Sequence, residues 1–277
     1  MIGVFDSGSG GLTILNALRK NFPSQDFIYL GDHARAPYGH RSNERIVNYT
    51  AQACDFLMGK GCDLVILACN TAAAIGGRTL QQNWLPLNYP DNRVLGVLVP
   101  MVEAVTGVPW HHETPQEDGP KKHIGLFATK KTVESGSYHR EVMKRAPDIT
   151  LTQHACPGLV DAIEGGAGLK PLTGLIGGYV EEMREMAGCT PDAVVLGCTH
   201  FPLVEDCFRL FLGEDIPIYS QPTIVSESLA NYLERHSKFR QPGSGKVDLF
   251  TTGLEGKRET LAKFLPDDLT TFKSIKL

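Results

Sequence analysis

The sequence has no excess of basic residues: among its 277 residues, 31 Asp and Glu outnumber 27 Lys and Arg, and the formal net charge is −4. General binding of nucleic acid requires clustered basic side chains that neutralise phosphates, so this function is not expected. No apolar stretch reaches the roughly 20 residues that span a bilayer, and residues 1–11 do not have the pattern of a signal peptide. We therefore expect a cytoplasmic protein with no nucleic-acid or membrane partner.

Cysteine is also scarce, with seven residues in the chain. An odd number of cysteines in a chain of this length does not fit the disulfide framework of small secreted proteins. Free cysteine mostly behaves as a small buried hydrophobic residue. Most of the thiols are therefore expected to be structural, and only those at exceptional positions are expected to be reactive.

Short apolar runs alternate with longer helical patterns, which is typical of an α/β protein with mainly parallel sheet. The predicted strands are Ile2–Phe5, Phe27–Leu30, Leu64–Leu67, Val94–Val97, Ile124–Phe127, Ile149–Thr152, Val194–Leu196 and Val247–Thr251. The predicted helices are Leu12–Asn21, Glu44–Lys60, Thr173–Ala187, Ile224–His236 and a closing helix after the last strand. Polar segments at His111–Lys122 and Phe239–Lys246 predict surface loops.

The order of these elements repeats along the chain. Residues 1–6 (MIGVFD) match 123–128 (HIGLFA), and residues 63–69 (DLVILAC) match 192–198 (DAVVLGC). The repeat predicts two similar doubly wound α/β domains that arose by internal duplication, formed by residues 1–97 plus 208–277 and by residues 98–207. Ligands of such sheets bind beyond the carboxyl ends of the strands. We therefore expect the active site in the cleft between the domains.

Cys69 and Cys198 end equivalent strands of the two halves, where the chain turns into a helix. A helix N-terminus carries a partial positive charge and unpaired N–H groups, and both favour a thiolate. Asn70, Thr71 and Thr199 follow the two cysteines and are suited to cap the helices or to hydrogen-bond a ligand. Two reactive thiols that face one cleft are predicted.

A glycine-rich loop with the sequence DSGSGG (residues 6–11) leads from the first strand into the first helix. Its N–H groups suit a carboxylate or small phosphate, but it is neither a dinucleotide fingerprint nor a P-loop. Asp6 would repel an anion, so a proton-handling role beside a thiol is expected for it, with helix capping as the alternative. The polar loops at residues 32–39 and at 155–158, which leads to Glu164, are further candidate site segments.

His200 lies two residues after Cys198 and can tune or shuttle the proton of that thiol. Two other functional interpretations of this segment stay open. A Cys/His hydrolase would leave Cys69 without a role. A zinc site built from Cys189, Cys198, His200 and Cys207 would use a spacing that matches no familiar framework.

Several motifs together resemble the aspartate/glutamate racemase family, and bacterial glutamate racemases in particular. The motifs are DSGSGG (6–11), LGD-x-x-x-x-PYG (30–39), ACNT (68–71), GLFAT-x-x-T with S-x-x-Y (125–138), GCTH-x-PL (197–203) and FTTG (250–253). The likeness extends from Ile2 to the C-terminal region. ACNT and GCTH at paired strand ends are the most specific of these motifs.

The resemblance implies racemisation of glutamate by two bases, without pyridoxal phosphate or metal. One cysteine thiolate removes the α-proton and the other, as a thiol, protonates the opposite face; Cys69 would act on D-glutamate and Cys198 on L-glutamate. Asp6 would assist Cys69 and His200 would assist Cys198. The implied further residues are the acidic Asp32 and Glu164 and the substrate-binding Ser7, Tyr38, Gly39, Asn70, Thr71, Thr129, Thr132 and Thr199.

The resemblance also implies a homodimer and a supply of D-glutamate for peptidoglycan, and hence a part in cell-wall biogenesis and cell shape. Aspartate racemase, or another amino-acid racemase of the same fold, is the alternative, because no Lys or Arg within a motif marks the pocket for the distal carboxylate. A binding protein without catalysis is a third reading. The presence of both cysteines argues against it.

Overall fold

Parallel strands form the framework of the molecule, for which the computed structural model describes residues 1–110, 115, 121–253 and 271–277. The strands are β1 (Ile2–Asp6), β2 (Phe27–Gly31), β3 (Leu64–Leu67), β4 (Arg93–Gly96), β5 (His123–Ala128), β6 (Thr150–Ala155), β7 (Ala193–Gly197), β8 (Ile218–Tyr219), β9 (Val247–Thr251) and β10 (Phe272–Ser274). Each predicted strand is present, with ends that differ by at most three residues. The short strands β8 and β10 were not predicted.

Helices connect the strands. They are α1 (Gly11–Asn21), α2 (Asn43–Gly59), α3 (Asn70–Ala72), α4 (Leu85–Asn88), α5 (Leu98–Thr106), α6 (Lys130–Glu134), α7 (Ser137–Arg145), α8 (Leu159–Glu164), α9 (Leu169–Ala187), α10 (Glu205–Leu212) and α11 (Gln221–Arg235). The predictions for α1, α2, α9 and α11 are confirmed, although α9 and α11 begin a turn earlier than predicted. The predicted closing helix, and most of the predicted loop at His111–Lys122, lie outside the described residues.

The two sheets share one strand order. The first sheet contains the order β2-β1-β3-β4 and the second the order β6-β5-β7-β8, with all strand pairs parallel. Strands β9 and β10 extend the first sheet beyond β2. The repeated order confirms the predicted α/β class with two similar halves, because in each half the first and third strands pair with each other and are flanked by the second and fourth strands.

The central strands are apolar up to their carboxyl ends because helices cover both faces of each sheet. In β1, Val4 packs against the face that carries Leu15 of α1, while Phe5 packs against the opposite face with Leu57 of α2. Both side chains are fully buried. This run of buried residues fixes the position of Asp6 at the carboxyl end of β1.

One hydrophobic core joins the two halves. The cluster that contains Val4 and Leu15 continues to Phe127 of β5, Leu196 of β7 and Phe208 of α10. Polar contacts add to this joint, since Arg78 of the first half forms an ion pair with Glu141 of α7. The strand ends of the two sheets are therefore held against each other.

The point at which the chain returns to the first sheet lies beyond the predicted boundary at residue 208. That boundary cuts through α10, which packs on α9, and β8 then pairs with β7 in the second sheet. The chain returns with α11, which packs on α1. The strand pairing thus favours a second domain that extends to about Tyr219, a boundary that hydrophobic patterning alone does not reveal.

In the described part of the chain, every helix is too short or too polar to span a lipid bilayer.

Candidate active site

The carboxyl ends of β1, β2 and β3 face those of β5, β6 and β7 across one cavity of about 170 Å³. Cys69 lies two residues after the end of β3 and Cys198 directly follows β7, and both line this cavity. It brings together most of the residues predicted for the site, namely Ser7, Tyr38, Gly39, Cys69, Asn70, Thr71, Thr129, Cys198, Thr199 and His200. Asp6, Asp32, Thr132 and Glu164 lie behind these residues rather than in the cavity wall.

Cys69 is the N-cap of α3, and its sulfur accepts the N–H of Ala72 at 3.5 Å. The hydroxyl of Ser7 lies 3.3 Å from the same sulfur. Burial nevertheless raises the pKa of the Cys69 thiol to about 12, and the negative charge of Asp6 adds to this rise. The N–H of Ala72 at the helix N-terminus lowers this pKa, as expected, but burial outweighs its effect. The helical backbone continues without a break from α3 through two π-helical stretches to the end of α4, so a helix N-terminus does face Cys69, but it does not offset the loss of water around the sulfur.

Asp6 lies under the glycine-rich loop and is 1% exposed. Its Oδ1 accepts the N–H of Gly8 at 2.7 Å, and its Oδ2 accepts the hydroxyl of Thr199 at 3.3 Å. Burial raises the pKa of the Asp6 carboxyl, although the positive charge of His200 opposes this rise. Asp6 thus combines an elevated proton affinity with a position close enough to Cys69 to influence the pKa of that thiol.

A chain of two side-chain contacts links Cys198 to His200 and His200 to Glu164. The sulfur of Cys198 lies 3.9 Å from Nδ1 of His200, and Nε2 of His200 lies 3.0 Å from Oε1 of Glu164. Burial by itself would lower the pKa of His200, but the hydrogen bonds to Cys198 and Glu164 outweigh it and raise this pKa to about 10. The ring is therefore an imidazolium near neutral pH, and its charge stabilises a negative charge on the neighbouring sulfur.

The glycine-rich loop serves as a packing surface between the halves. A Cβ atom on Gly10 would lie 2.3 Å from Oγ1 of Thr199 and 2.5 Å from Nδ1 of His200, so only glycine allows this close approach. Of this loop, only Ser7 reaches the cavity wall. The expectation that the loop N–H groups cradle an anion gains no support, because the second half covers Gly10.

Asp32 is fully buried and supports the segment that carries Tyr38. Its Oδ2 accepts the hydroxyl of Tyr38 at 2.5 Å and Nε of Arg35 at 2.6 Å, and its Oδ1 accepts the hydroxyl of Thr252 at 2.7 Å. All of these partners donate to the carboxylate. Asp32 therefore positions the wall of the cavity at Tyr38 and Gly39.

Three threonine hydroxyls connect the halves beside Cys69. Oγ1 of Thr71 lies 3.0 Å from Oγ1 of Thr129 and 3.3 Å from Oγ1 of Thr132, and the last two atoms are 3.0 Å apart. Thr129 is also the N-cap of α6, where its hydroxyl accepts the N–H of Thr132. Thr132 is fully buried, so it braces the two threonines that line the cavity.

Some residues of the cavity wall were missed in the sequence. These are His40, Lys130, Val160 and Asp161, while Pro37, Cys156, Pro157 and Gly158 lie in the two loops predicted as candidate site segments without being named as site residues. The match between the loops at residues 32–39 and 155–158 was the available signal for Cys156, which follows β6 as Asp32 follows β2. Cys156 belongs to the thiols expected to be structural, because the sequence does not place it directly before a helix as it does Cys69.

The alternative chemistries have little geometric support. Within the part of the chain that is described, no group of three or more His, Cys, Asp and Glu residues is arranged to hold a metal ion. Cys189 is exposed and lies 3.2 Å from Nδ1 of His123, away from the cavity, so it does not join Cys198 and His200. A Cys/His hydrolase has its pair in Cys198 and His200 but gives no role to Cys69, which lines the same cavity.

Comparison with known proteins agrees with this geometry. The model of the Asp/Glu/Hydantoin racemase family matches residues 12–221. Glutamate racemases from Phenylobacterium zucineum and Roseobacter denitrificans are 43% and 45% identical, and the alignments cover 95% and 91% of this chain and equal shares of the relatives.

A solved structure is similar over the whole fold. The glutamate racemase of Francisella tularensis in complex with D-glutamate has a TM-score of 0.85 and 27% identity, with 99% of this chain and 97% of that chain covered. Sequence, fold and family model therefore agree with the resemblance of the motifs. The chain belongs to the Asp/Glu/Hydantoin racemase family.

Proposed function

We propose that this protein is a glutamate racemase that interconverts L- and D-glutamate by proton transfer between two cysteines. The observation that carries the proposal is that Cys69 and Cys198, at equivalent strand ends of the two halves, line one cavity. Racemisation with two bases needs one proton-transfer group on each face of the α-carbon. The similarity to glutamate racemases, one of them solved in complex with D-glutamate, supports glutamate as the substrate.

The protonation states suit an opening step on L-glutamate. Because its pKa is raised to about 12, Cys69 holds its proton and acts as the acid. Cys198, whose sulfur lies 3.9 Å from Nδ1 of His200, is placed to be the base that removes the α-proton from L-glutamate. Cys69 then delivers its proton to the opposite face and gives D-glutamate. In the reverse direction Cys69, assisted by Asp6, is the base and Cys198 is the acid.

The cavity supplies donors for the carboxylates of glutamate, one of which the amide of Asn70 binds, and for the carbanion. The hydroxyls of Ser7, Thr71, Thr129 and Thr199, the amide of Asn70 and the segment at Tyr38 and Gly39 surround the space between the two sulfurs. Fixed donors in a cavity from which water is excluded stabilise negative charge as it develops on the substrate. Both proton-transfer groups are protein side chains, so the proposed reaction uses neither pyridoxal phosphate nor a metal. The reaction would supply D-glutamate in the cytoplasm for the synthesis of peptidoglycan.

The test compares wild-type protein with Cys69→Ser and Cys198→Ser by circular dichroism and by α-proton exchange in deuterium oxide, with L-glutamate, D-glutamate and L-aspartate as substrates. Cys54→Ser is the matched control, because Cys54 is a buried thiol of α2 outside the cavity. We expect wild type and Cys54→Ser to invert glutamate without added cofactor and both other variants to lose inversion.

The remaining outcomes separate the alternatives. Turnover of aspartate but not glutamate would retain the mechanism and reject the substrate. Full inversion by either cavity variant would reject the mechanism with two thiols. Absence of exchange with every amino acid would favour a hydrolase or a binding protein.

A further inference from the structure

The side chain of Asn70 is held by two residues that lie far from it in the sequence. Nδ2 of Asn70 donates to Oε1 of Gln221 at 2.9 Å, and Nε2 of Gln221 donates back to Oδ1 of Asn70 at 2.8 Å. The hydroxyl of Tyr138 donates to the same Oδ1 at 2.9 Å. Gln221 begins α11 and Tyr138 lies on α7, so three separate parts of the chain meet at this amide.

We infer that Gln221 and Tyr138 are positioning residues that lock the amide of Asn70, so that Asn70 presents an N–H donor and no oxygen to the cavity. Two donors occupy the two acceptor positions of Oδ1, and Gln221 uses one hydrogen of Nδ2. The second hydrogen of Nδ2 is the polar group that remains for a ligand. The inference rests on the proposed function, in which Asn70 binds a carboxylate of glutamate.

The orientation matters because an amide can turn over at little steric cost. A turned Asn70 would direct its amide oxygen at the substrate. That oxygen, which carries a partial negative charge and only accepts hydrogen bonds, would then face a carboxylate oxygen of glutamate. The turn would also leave the amide group of Gln221 facing a donor and the hydroxyl of Tyr138 without its acceptor. Gln221 is fully buried and Tyr138 is 2% exposed, so water does not replace the lost bonds. The buried pair therefore selects one of the two orientations.

A donor to a carboxylate that stays negative throughout the reaction contributes to binding in the ground state and in the transition state alike. Its loss therefore raises KM and changes kcat much less. A general loosening of the fold would instead lower kcat and thermal stability together. This difference separates a positioning role from a structural one.

The experiment measures kcat and KM for both enantiomers of glutamate in wild type, Gln221→Leu, Tyr138→Phe, Asn70→Ala and the double variant of Asn70→Ala with Gln221→Leu. Gln25→Leu is the control, since Gln25 is also a buried glutamine but lies beside β2 at the opposite end of the sheet. We expect KM to rise about tenfold in Gln221→Leu and about threefold in Tyr138→Phe, with kcat within about threefold of wild type. The control is expected to keep the wild-type KM.

The double variant is decisive, because residues that act through one another do not have additive effects. Once Asn70 is alanine, Gln221→Leu should change KM by less than about twofold. A wild-type KM in folded Gln221→Leu, or a full tenfold effect on the Asn70→Ala background, would overturn the inference. If Gln221→Leu does not fold, KM in Tyr138→Phe decides in the same way. Wild-type protein that fails to racemise glutamate would reject the proposed function instead.

Discussion

The close contact at Gly10 makes a single methyl group a test of how the two halves must meet. Gly10 has φ −59° and ψ −34°, which alanine adopts readily, so Gly10→Ala introduces no dihedral strain. The new Cβ would lie 2.3 Å from Oγ1 of Thr199, whereas ordinary contacts begin at about 3.4 Å. The glycine-rich loop and the Cys198 loop must therefore separate by about 1 Å.

This separation acts directly on the proposed chemistry. Overpacking of this kind costs about 1–3 kcal/mol of stability. A displacement of about 1 Å between groups that share a proton reduces the rate by about a hundredfold. We expect Gly10→Ala to fold, to lose a few degrees in Tm and to lose about a hundredfold in kcat/KM for both enantiomers.

The control is Gly178→Ala, an exposed position of α9 at which a Cβ meets no atom within 4 Å. Alanine within a helix stabilises it by roughly 0.5–1 kcal/mol relative to glycine, so the control should have wild-type activity and an equal or higher Tm. Activity is followed by circular dichroism of glutamate, and folding by far-ultraviolet dichroism and thermal unfolding. A folded Gly10→Ala protein with kcat/KM within about twofold of wild type would refute the reasoning.

Further predictions concern the ionisable groups. His200 has a pKa raised to about 10, so we expect kcat/KM of wild type to fall as pH rises through about 10. Glu164→Gln removes a hydrogen bond that raises this pKa, so the fall should begin at lower pH in the variant; an unchanged alkaline limb would contradict this. The pKa of the Cys69 thiol is raised to about 12, so iodoacetamide at pH 7.5 should label the exposed Cys189 well before Cys69. The rate of Cys69 labelling, measured by peptide mass spectrometry, should rise about tenfold per pH unit. Burial raises the pKa of Asp6, so the stability that this carboxyl contributes is present below its ordinary pKa and is lost as pH rises. Asp6→Asn should therefore raise Tm at pH 7 and raise it less at pH 4, while it lowers kcat/KM. A lower Tm at pH 7 would count against the burial argument.

Much of the architecture could be predicted from the sequence because each central strand is written as a continuous apolar run. The apolar runs predicted strands that are buried on both faces, and their residues are indeed buried, as in Val4, Phe5, Leu64 and Leu67. The repeat of the pattern around Cys69 and Cys198 predicted two equivalent halves. The short β8 gave no such signal, since a strand of two residues has no readable period. It is held by its pairing with β7, which is a long-range contact.

The sequence by itself determined which residues end the strands: Asp6, Cys69 and Cys198 follow apolar runs, and parallel sheets gather such positions at one edge. Only the tertiary structure decided their chemical states. The pKa of Cys69 depends on burial and on Asp6, and that of His200 on Cys198 and on Glu164, which is 36 residues away. Gln221, which lies 151 residues from Asn70, belongs to no motif around the site. Ionisation and amide orientation depend on distance and on exclusion of water, and neither quantity exists until the chain has folded.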